Sequence, residues 1–115
     1  MINKSSFIKY FESGIKDINN CGVGIEHEKF VFSKNKRVDY SSILNLFQKL
    51  YEFGWKPVKE GANIIALKKG YKNITLEPGN QIELSGEILK NIHQTCGESQ
   101  EYIFELNQSL NKLEL

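Results

Sequence analysis

The most regular alternation of hydrophobic and polar residues lies between positions 74 and 86. The Ile-Thr-Leu run at 74–76 is typical of a strand. The Pro-Gly-Asn run at 78–80 interrupts it, because proline lacks an amide donor and both glycine and asparagine tolerate a positive φ. Beyond this bend the alternation resumes, with polar residues directed to one face. We therefore predict two strands joined by a kink, which together carry Glu77, Gln81 and Glu83.

A second strand with spaced carboxylates is predicted within residues 22–32, where Val, Ile and Phe are frequent. In a strand, Glu26 and Glu28 point to the same face, about 7 Å apart along it. His27 and Lys29 then point to the opposite face. There we expect His27 to be packed or to support a neighbouring metal ligand rather than to bind metal itself, and Lys29 to pair with an acidic side chain.

The remaining periodicity predicts three helices and a hairpin. The first helix is predicted to be capped by Ser5 or Ser6 and to end at Gly14. The second is predicted to be capped by Asp39, Ser41 or Ser42 and to end at Gly54. Ser85 is the predicted cap of a long third helix that starts at Glu87. Residues 33–37 are expected to be a polar turn, and 55–58 a short edge strand because proline cannot donate to a ladder. Residues 64–68 pair with the strand that starts at position 74. Together these elements predict an α+β fold, an antiparallel sheet with helices covering one face.

Composition narrows the class of protein. The 115 residues, 40% of them hydrophobic, suit a single domain spanning 1–115. A net charge of +1 gives no indication of nucleic acid or of an anionic membrane surface as a partner. Of the 15 basic residues only Arg37 is an arginine, and Cys21 and Cys96 are too few for a disulfide scaffold. Because the first residues lack the apolar core of a signal peptide and no run is long enough to span a bilayer, we predict a cytoplasmic protein.

The carboxylates of the two strand regions suggest a metal site. Glu26, Glu28, Glu77 and Glu83, with Gln81, could converge on one open face of the sheet. Mg²⁺ prefers carboxylate oxygens and usually keeps waters and substrate phosphates in its other positions, which would suit Mg-ATP. The alternative is that these glutamates are only the solvated face of amphipathic strands.

Longer motifs resemble a known family. They are Gly-Ile-Glu-His-Glu-Lys-Phe at 24–30, Leu-Glu-Pro-Gly-Asn-Gln-Ile-Glu-Leu-Ser-Gly at 76–86 and His-Gln-Thr-Cys at 93–96, with Phe-Glu-Ser-Gly at 11–14 and Gly-Trp at 54–55. In order and spacing they resemble the plant and proteobacterial type of glutamate–cysteine ligase. The resemblance covers nearly the whole chain but only the N-terminal part of a family member, and it implies part of a fold related to glutamine synthetase.

The resemblance also implies a reaction and roles for the residues. ATP phosphorylates the γ-carboxyl of glutamate, and the amine of cysteine attacks the acyl phosphate to give γ-glutamylcysteine, the first step of glutathione synthesis. By motif, Glu26 and Glu28 would be Mg²⁺ ligands. Glu77 and Glu83 would face them and hold metal or the substrate amino group, and Gln81 would orient a substrate or a metal-bound water. Most ATP- and cysteine-binding residues lie beyond the matching part, so we expect the remainder of the catalytic domain to be needed for turnover.

Two other functions remain open on the sequence. A related carboxylate–amine ligase would share the carboxylate strands, although the His-Gln-Thr-Cys run favours glutamate–cysteine ligase. A non-catalytic α+β binding module with surface glutamates is the third class. We expect His93 to pack at the edge of the core and Cys96 to be buried on the apolar face of the long helix, although a cysteine in this context can take part in redox control in plant members.

Overall fold

The computed structural model describes residues 3–115 and has an α+β architecture. Its regular elements are α1 (Lys4–Glu12), β1 (Glu26–Phe30), β2 (Phe32–Ser33), β3 (Lys36–Arg37), α2 (Tyr40–Leu50), β4 (Lys56–Glu60), β5 (Asn63–Lys69), β6 (Lys72–Glu77), β7 (Gln81–Ser85) and α3 (Ile92–Asn111). Short 3₁₀ turns lie at Ile18–Asn20, Tyr51–Phe53 and Pro78–Asn80.

Five strands form one antiparallel sheet in the order β1-β7-β6-β5-β4, with β4 at an edge as Pro57 predicted. Helices α2 and α3 cover one face of this sheet. The core that joins them consists of almost fully buried side chains, namely Ile43, Leu46, Phe47, Leu50, Leu67, Ile74, Ile82, Leu84, Tyr102 and Leu106. The predicted α+β fold, with an antiparallel sheet and helices on one face, is therefore confirmed.

Helix α2 begins and ends as its sequence predicts. The Asp39 carboxylate accepts a hydrogen bond of 3.0 Å from the Ser42 amide, which would otherwise lack a partner in the first turn. This bond, together with bonds from the Ser41 and Ser42 hydroxyls, holds the pKa of Asp39 below its usual value. The 3₁₀ turn after α2 ends at Gly54, whose φ of 88° favours glycine.

Helix α3 begins seven residues after the predicted cap. Its N-cap is Asn91, which accepts from the Gln94 amide, and not Ser85, which is the last residue of β7. The predicted start near Glu87 was wrong because the segment between β7 and α3 forms an isolated antiparallel bridge, in which Leu89 exchanges backbone hydrogen bonds with Val23. Extended pairing with the chain before β1 therefore overrides the helical spacing of the apolar residues in this segment.

A buried polar network ties α3 to the sheet. The Trp55 indole donates to one Glu105 oxygen at 2.7 Å, and Lys69 donates to the other at 2.5 Å. Trp55 and Glu105 are both buried. Lys69 and Lys72 also bind Glu101, and their hydrogen bonds lower the pKa of that carboxyl. The network fixes the position of α3 over β5 and β6.

In the N-terminal half of the chain, two further predictions differ from the structure. Helix α1 is capped by Asn3, not by Ser5 or Ser6, and all of its side chains are exposed, including those of its apolar residues. Residues 32–37 form a small hairpin of β2 and β3 where a simple polar turn was expected. Lys34 and Asn35 have positive φ values at its tip, which are typical of a tight two-residue hairpin turn.

Candidate functional site

The antiparallel register directs all five predicted site residues to the sheet face away from α2 and α3. We call this the open face, since no described helix covers it. Directly opposed residues of an antiparallel pair carry their side chains on the same face. The open face thus includes the residues of β1, β6 and β7 whose neighbours point into the core, namely Glu26, Glu28, Phe30, Asn73, Thr75, Glu77, Gln81, Glu83 and Ser85.

Two rows of the open face bring predicted residues into direct contact range. Glu28 of β1 lies directly opposite Glu83 of β7. One pair further along, Gln81 lies between Phe30 on one side and Glu77 on the other. Such opposed residues have Cβ atoms about 4.5–5.5 Å apart. Glu26 lies at the other end of β1, opposite Ser85, so it is separated from Gln81 by the length of the strand.

The Glu28–Glu83 pair is unfavourable unless a cation lies near it. Like charges that face each other across two strands destabilise a sheet, by amounts similar to the roughly 0.2–1 kcal/mol that favourable cross-strand pairs contribute. Glu83 is only partly exposed, and its Oε1 accepts a hydrogen bond from the Ser85 hydroxyl at 3.2 Å, which fixes the carboxylate without neutralising it. A divalent cation bound between the two side chains would remove this repulsion.

Three glutamates on the helix side of the sheet pair with lysines, in contrast to the glutamates of the open face. On the helix side, Glu101 and Glu105 pair with Lys69, and Glu52 pairs with Lys112, which lowers the pKa of Glu52. Over residues 3–115, none of the four open-face glutamates forms an ion pair with a lysine or arginine. Their oxygens are therefore available to a ligand.

The open-face residues fit Mg²⁺ by donor chemistry but do not enclose it. Carboxylate and amide oxygens are the donors that Mg²⁺ prefers, and the ion commonly binds through one or two carboxylates plus waters and phosphates. Across the part of the chain that the structure describes, no three acidic, histidine or cysteine side chains converge closely enough to hold a metal by themselves. The arrangement is therefore an incomplete coordination shell, with room for solvent or substrate oxygens.

The bend that separates Glu77 from Gln81 adopts the backbone that the sequence predicts. Gly79 and Asn80 have φ values of 74° and 59°, the left-handed region that glycine and asparagine accept at low cost. The Asn80 amide also donates to the Val38 carbonyl at 3.1 Å. Gln81 has a contact of 3.5 Å from its side-chain amide to the Pro78 carbonyl, so its amide oxygen remains free to accept another partner.

Arg37 lies beside this bend, a placement that sequence reasoning missed. Its guanidinium donates to the Gly79 carbonyl, and its Cζ lies 4.4 Å from the centre of the Phe30 ring on the open face. Arg37 is 42 positions from Gly79 and 7 positions from Phe30 in the sequence. The β2–β3 hairpin brings these residues together, and no local sequence pattern reveals such contacts. The one signal in the sequence was that Arg37 is the only arginine.

The opposite faces of these strands are structural. His27 is half-buried, as expected, with its ring 6.4 Å from that of Tyr102. Lys29 was expected to pair with an acid, but its ammonium instead contacts His27 Nδ1 at 3.3 Å and lies 5.5 Å from the centre of the Tyr102 ring. Burial raises the pKa of the Tyr102 hydroxyl. The prediction for Lys29 was wrong because the aromatic ring, not a carboxylate, lies above β1 here.

Two expectations for α3 were also wrong. His93 and Cys96 are both exposed, whereas we expected edge packing for the histidine and burial for the cysteine. The buried face of α3 instead carries Thr95, Glu98, Tyr102, Glu105, Leu106 and Ser109. Because buried polar residues form much of this face, apolar spacing alone misplaced it by about one position.

Comparison with known proteins gives the family. The sequence model of the protein family described as glutamate-cysteine ligase family 2 matches residues 22–115. This part of the chain contains the whole five-stranded sheet and its open face. The chain belongs to this family. Proteins named glutamate–cysteine ligase, chloroplastic, from Medicago truncatula and from Arabidopsis thaliana are 41% and 40% identical to it over 108 residues, which is 91% of the chain. A relative with the same name from Brassica juncea is 40% identical over the same length.

These matches correct the predicted localisation and show how much of a family member the chain covers. The chain spans about a fifth (21%) of the length of these curated relatives. The prediction of a cytoplasmic protein was wrong, since the relatives are named as chloroplastic. The N-terminal pattern on which that prediction rested does not separate cytoplasm from plastid, because transit peptides have no apolar core. No helix between residues 3 and 115 combines the length and the hydrophobicity required to cross a bilayer.

Proposed function

We propose that the chain is part of the catalytic domain of a glutamate–cysteine ligase and that its open face holds the Mg²⁺ of an ATP-dependent ligation. The reaction joins the γ-carboxyl of glutamate to the amine of cysteine, with ATP converted to ADP and phosphate, and it begins glutathione synthesis. Family membership supports this proposal, and so do relatives that are named for this activity. In this proposal the sheet is one portion of a larger glutamine-synthetase-like sheet.

One structural observation carries the proposal. Four carboxylates share a sheet face on which none pairs with a lysine or arginine of residues 3–115, while Glu52, Glu101 and Glu105 on the helix side pair with lysines. Keeping like charges together on a sheet is unfavourable, so their concentration favours a cation-binding role over a merely solvated surface. A generic binding module has no need of this arrangement.

Each side chain has a proposed role in this site. Glu26, Glu28, Glu77 and Glu83 hold Mg²⁺, with Glu28 and Glu83 as the opposed pair. Gln81 contacts a substrate or a metal-bound water through its free amide oxygen. Bound Mg²⁺ neutralises negative charge on phosphate oxygens. The protein residues on the open face bind and orient, and the remainder of the catalytic domain supplies the cysteine site and closes the face to water.

Binding of Mn²⁺, a spectroscopic substitute for Mg²⁺, tests the proposal on the chain itself. Electron paramagnetic resonance of free Mn²⁺ would be used to titrate the wild-type chain, Glu28→Gln and Glu83→Gln. Glu12→Gln, on the exposed helix α1, is the charge-matched control. We expect the two open-face variants to weaken Mn²⁺ binding by about tenfold or more and the control to leave it unchanged. Equal affinities in all four proteins would contradict the proposal.

A further inference from the structure

A single arginine is held against the open face by contacts on two sides. Arg37 donates from Nη2 to the Gly79 carbonyl, at the bend between β6 and β7. Its guanidinium also stacks over the Phe30 ring at 4.4 Å, a distance typical of a cation–π interaction. The arginine therefore reaches from the β2–β3 hairpin to the row of the open face that contains Gln81.

The bend is shaped to admit this arginine. A Cβ atom added to Gly79 would collide with Arg37 Nη2, so any larger residue would displace the guanidinium from its present position. The φ of 74° at Gly79 independently favours glycine. The Asn80 amide holds the chain after the hairpin by donating to the Val38 carbonyl. Hairpin and bend are thus fixed to each other at two points next to the face.

Most of the hydrogen-bonding capacity of Arg37 is unused. A guanidinium has five N–H donors, and among residues 3–115 only the Gly79 carbonyl accepts one of them. No carboxylate of the described chain forms an ion pair with it, although Glu77 lies in the same row as Gln81 and Phe30. A guanidinium immobilised by stacking loses less entropy when it binds an anion, and its planar fork matches two oxygens of a carboxylate or a phosphate.

We propose that Arg37 binds an oxyanion group, a phosphate or a carboxylate, of the ligand that occupies the open face. This inference rests on the proposed function, since it requires the neighbouring glutamates to hold a metal on the same face. The row of Glu77, Gln81 and Phe30 is adjacent to the row of Glu28 and Glu83, about 7 Å away along the strands. A metal-bound phosphate or amino-acid carboxylate at the acidic row would therefore lie within reach of the arginine.

Calorimetric titration of the chain with Mg-ATP, and separately with glutamate in the presence of Mg²⁺, tests the inference. The proteins are wild type, Arg37→Lys, which keeps the charge but loses the planar fork, and Lys36→Gln, a charge-removing control in the same exposed hairpin. We expect Arg37→Lys to weaken the binding of one of the two ligands by about tenfold, because a charge-assisted hydrogen bond is lost. Lys36→Gln should leave both affinities unchanged. Loss for Mg-ATP alone would assign a phosphate, and loss for glutamate alone a carboxylate.

Several outcomes would overturn the inference, and they differ from failure of the proposed function. Equal ligand affinities in wild type and Arg37→Lys would overturn it, as would no binding of either ligand to wild type, or an equal loss in Lys36→Gln. The midpoint of thermal unfolding is recorded for each variant. Phe30→Leu removes the stacking surface but keeps the arginine, so it should weaken binding of the same ligand by a smaller factor. If Phe30→Leu and Arg37→Lys lower only the midpoint, Arg37 is structural. Mn²⁺ binding without nucleotide reports on the glutamates separately and should be unchanged in Arg37→Lys.

Discussion

Replacing Glu83 with glutamine is expected to stabilise the protein when metal is absent and to remove most of its stabilisation by Mg²⁺. Glu83 lies directly opposite Glu28, and over residues 3–115 neither side chain pairs with a lysine or arginine. Removing one charge relieves the cross-strand repulsion. A glutamine oxygen can still accept the hydrogen bond from the Ser85 hydroxyl, so no donor is left without a partner.

The size of the effect follows from the pair and from the chain length. Relief of an opposed like-charge pair contributes about 0.2–1 kcal/mol to the free energy of unfolding. At about 2.1 cal/mol/K per residue, the unfolding entropy of 115 residues makes 1 kcal/mol equivalent to about 4 °C in Tm. Glu83→Gln should therefore raise Tm by about 1–4 °C in EDTA. Mg²⁺ at ten times the wild-type Kd should stabilise wild type by about 1.4 kcal/mol, or about 6 °C, and a variant with tenfold weaker binding by about 0.4 kcal/mol, or less than 2 °C.

Differential scanning calorimetry of wild type, Glu83→Gln and the control Glu12→Gln, each in EDTA and in excess Mg²⁺, measures both effects. The control should respond to Mg²⁺ as wild type does. A lower midpoint for Glu83→Gln in EDTA would show that the carboxylate has a stabilising structural partner. An equal response of wild type and Glu83→Gln to Mg²⁺ would refute the reasoning that links this pair to metal.

Three further predictions concern the framework around the site. Glu105→Ala leaves the buried Trp55 indole without an acceptor and should cost about 1–3 kcal/mol in urea unfolding, with Glu105→Gln less harmful because it keeps an oxygen there; equal losses would contradict this. Gly79→Ala should lower the free energy of unfolding by about 1–2 kcal/mol because of the positive φ alone, and it should also displace Arg37. An unchanged urea midpoint would show that alanine is not strained at this position. The lowered pKa of Asp39 means that its stabilising contribution is complete above its unfolded pKa, near 3.9, and is lost as the pH falls through the folded value. Wild type should therefore lose stability relative to Asp39→Asn as the pH falls below about 5, and parallel profiles would contradict this.

The sheet and its open face were predictable because strand alternation is insensitive to strand ends. β1 is five residues long where residues 22–32 suggested a longer strand, yet Glu26 and Glu28 still share a face. The kink was predictable for a similar reason, since Gly79 and Asn80 are among the few residue types that accept the required φ. What the sequence lacked was the pairing register, which alone determines that Glu28 opposes Glu83.

The failures have a common physical cause in contacts between distant residues. The start of α3 was misplaced because Leu89 pairs with Val23, and the buried face of α3 was misplaced because Glu105 binds Trp55 and Lys69. Apolar periodicity treats a buried glutamate as a surface residue, whereas here the partners for its charge come from other elements. The contact of Arg37 with the bend is of the same kind, and it became visible only when the hairpin was placed.

A chimeric ligase tests the central claim most directly. Residues 22–115 would replace the matching segment of the Arabidopsis thaliana relative, to which the chain is 40% identical. ADP release would then be followed with ATP, Mg²⁺, glutamate and cysteine. The account predicts turnover that depends on both amino acids, is abolished by Glu28→Gln and is kept by Lys36→Gln, a charge-removing change outside the five-stranded sheet. A chimera that unfolds cooperatively but releases no ADP, or one in which Glu28→Gln retains full activity, would contradict it.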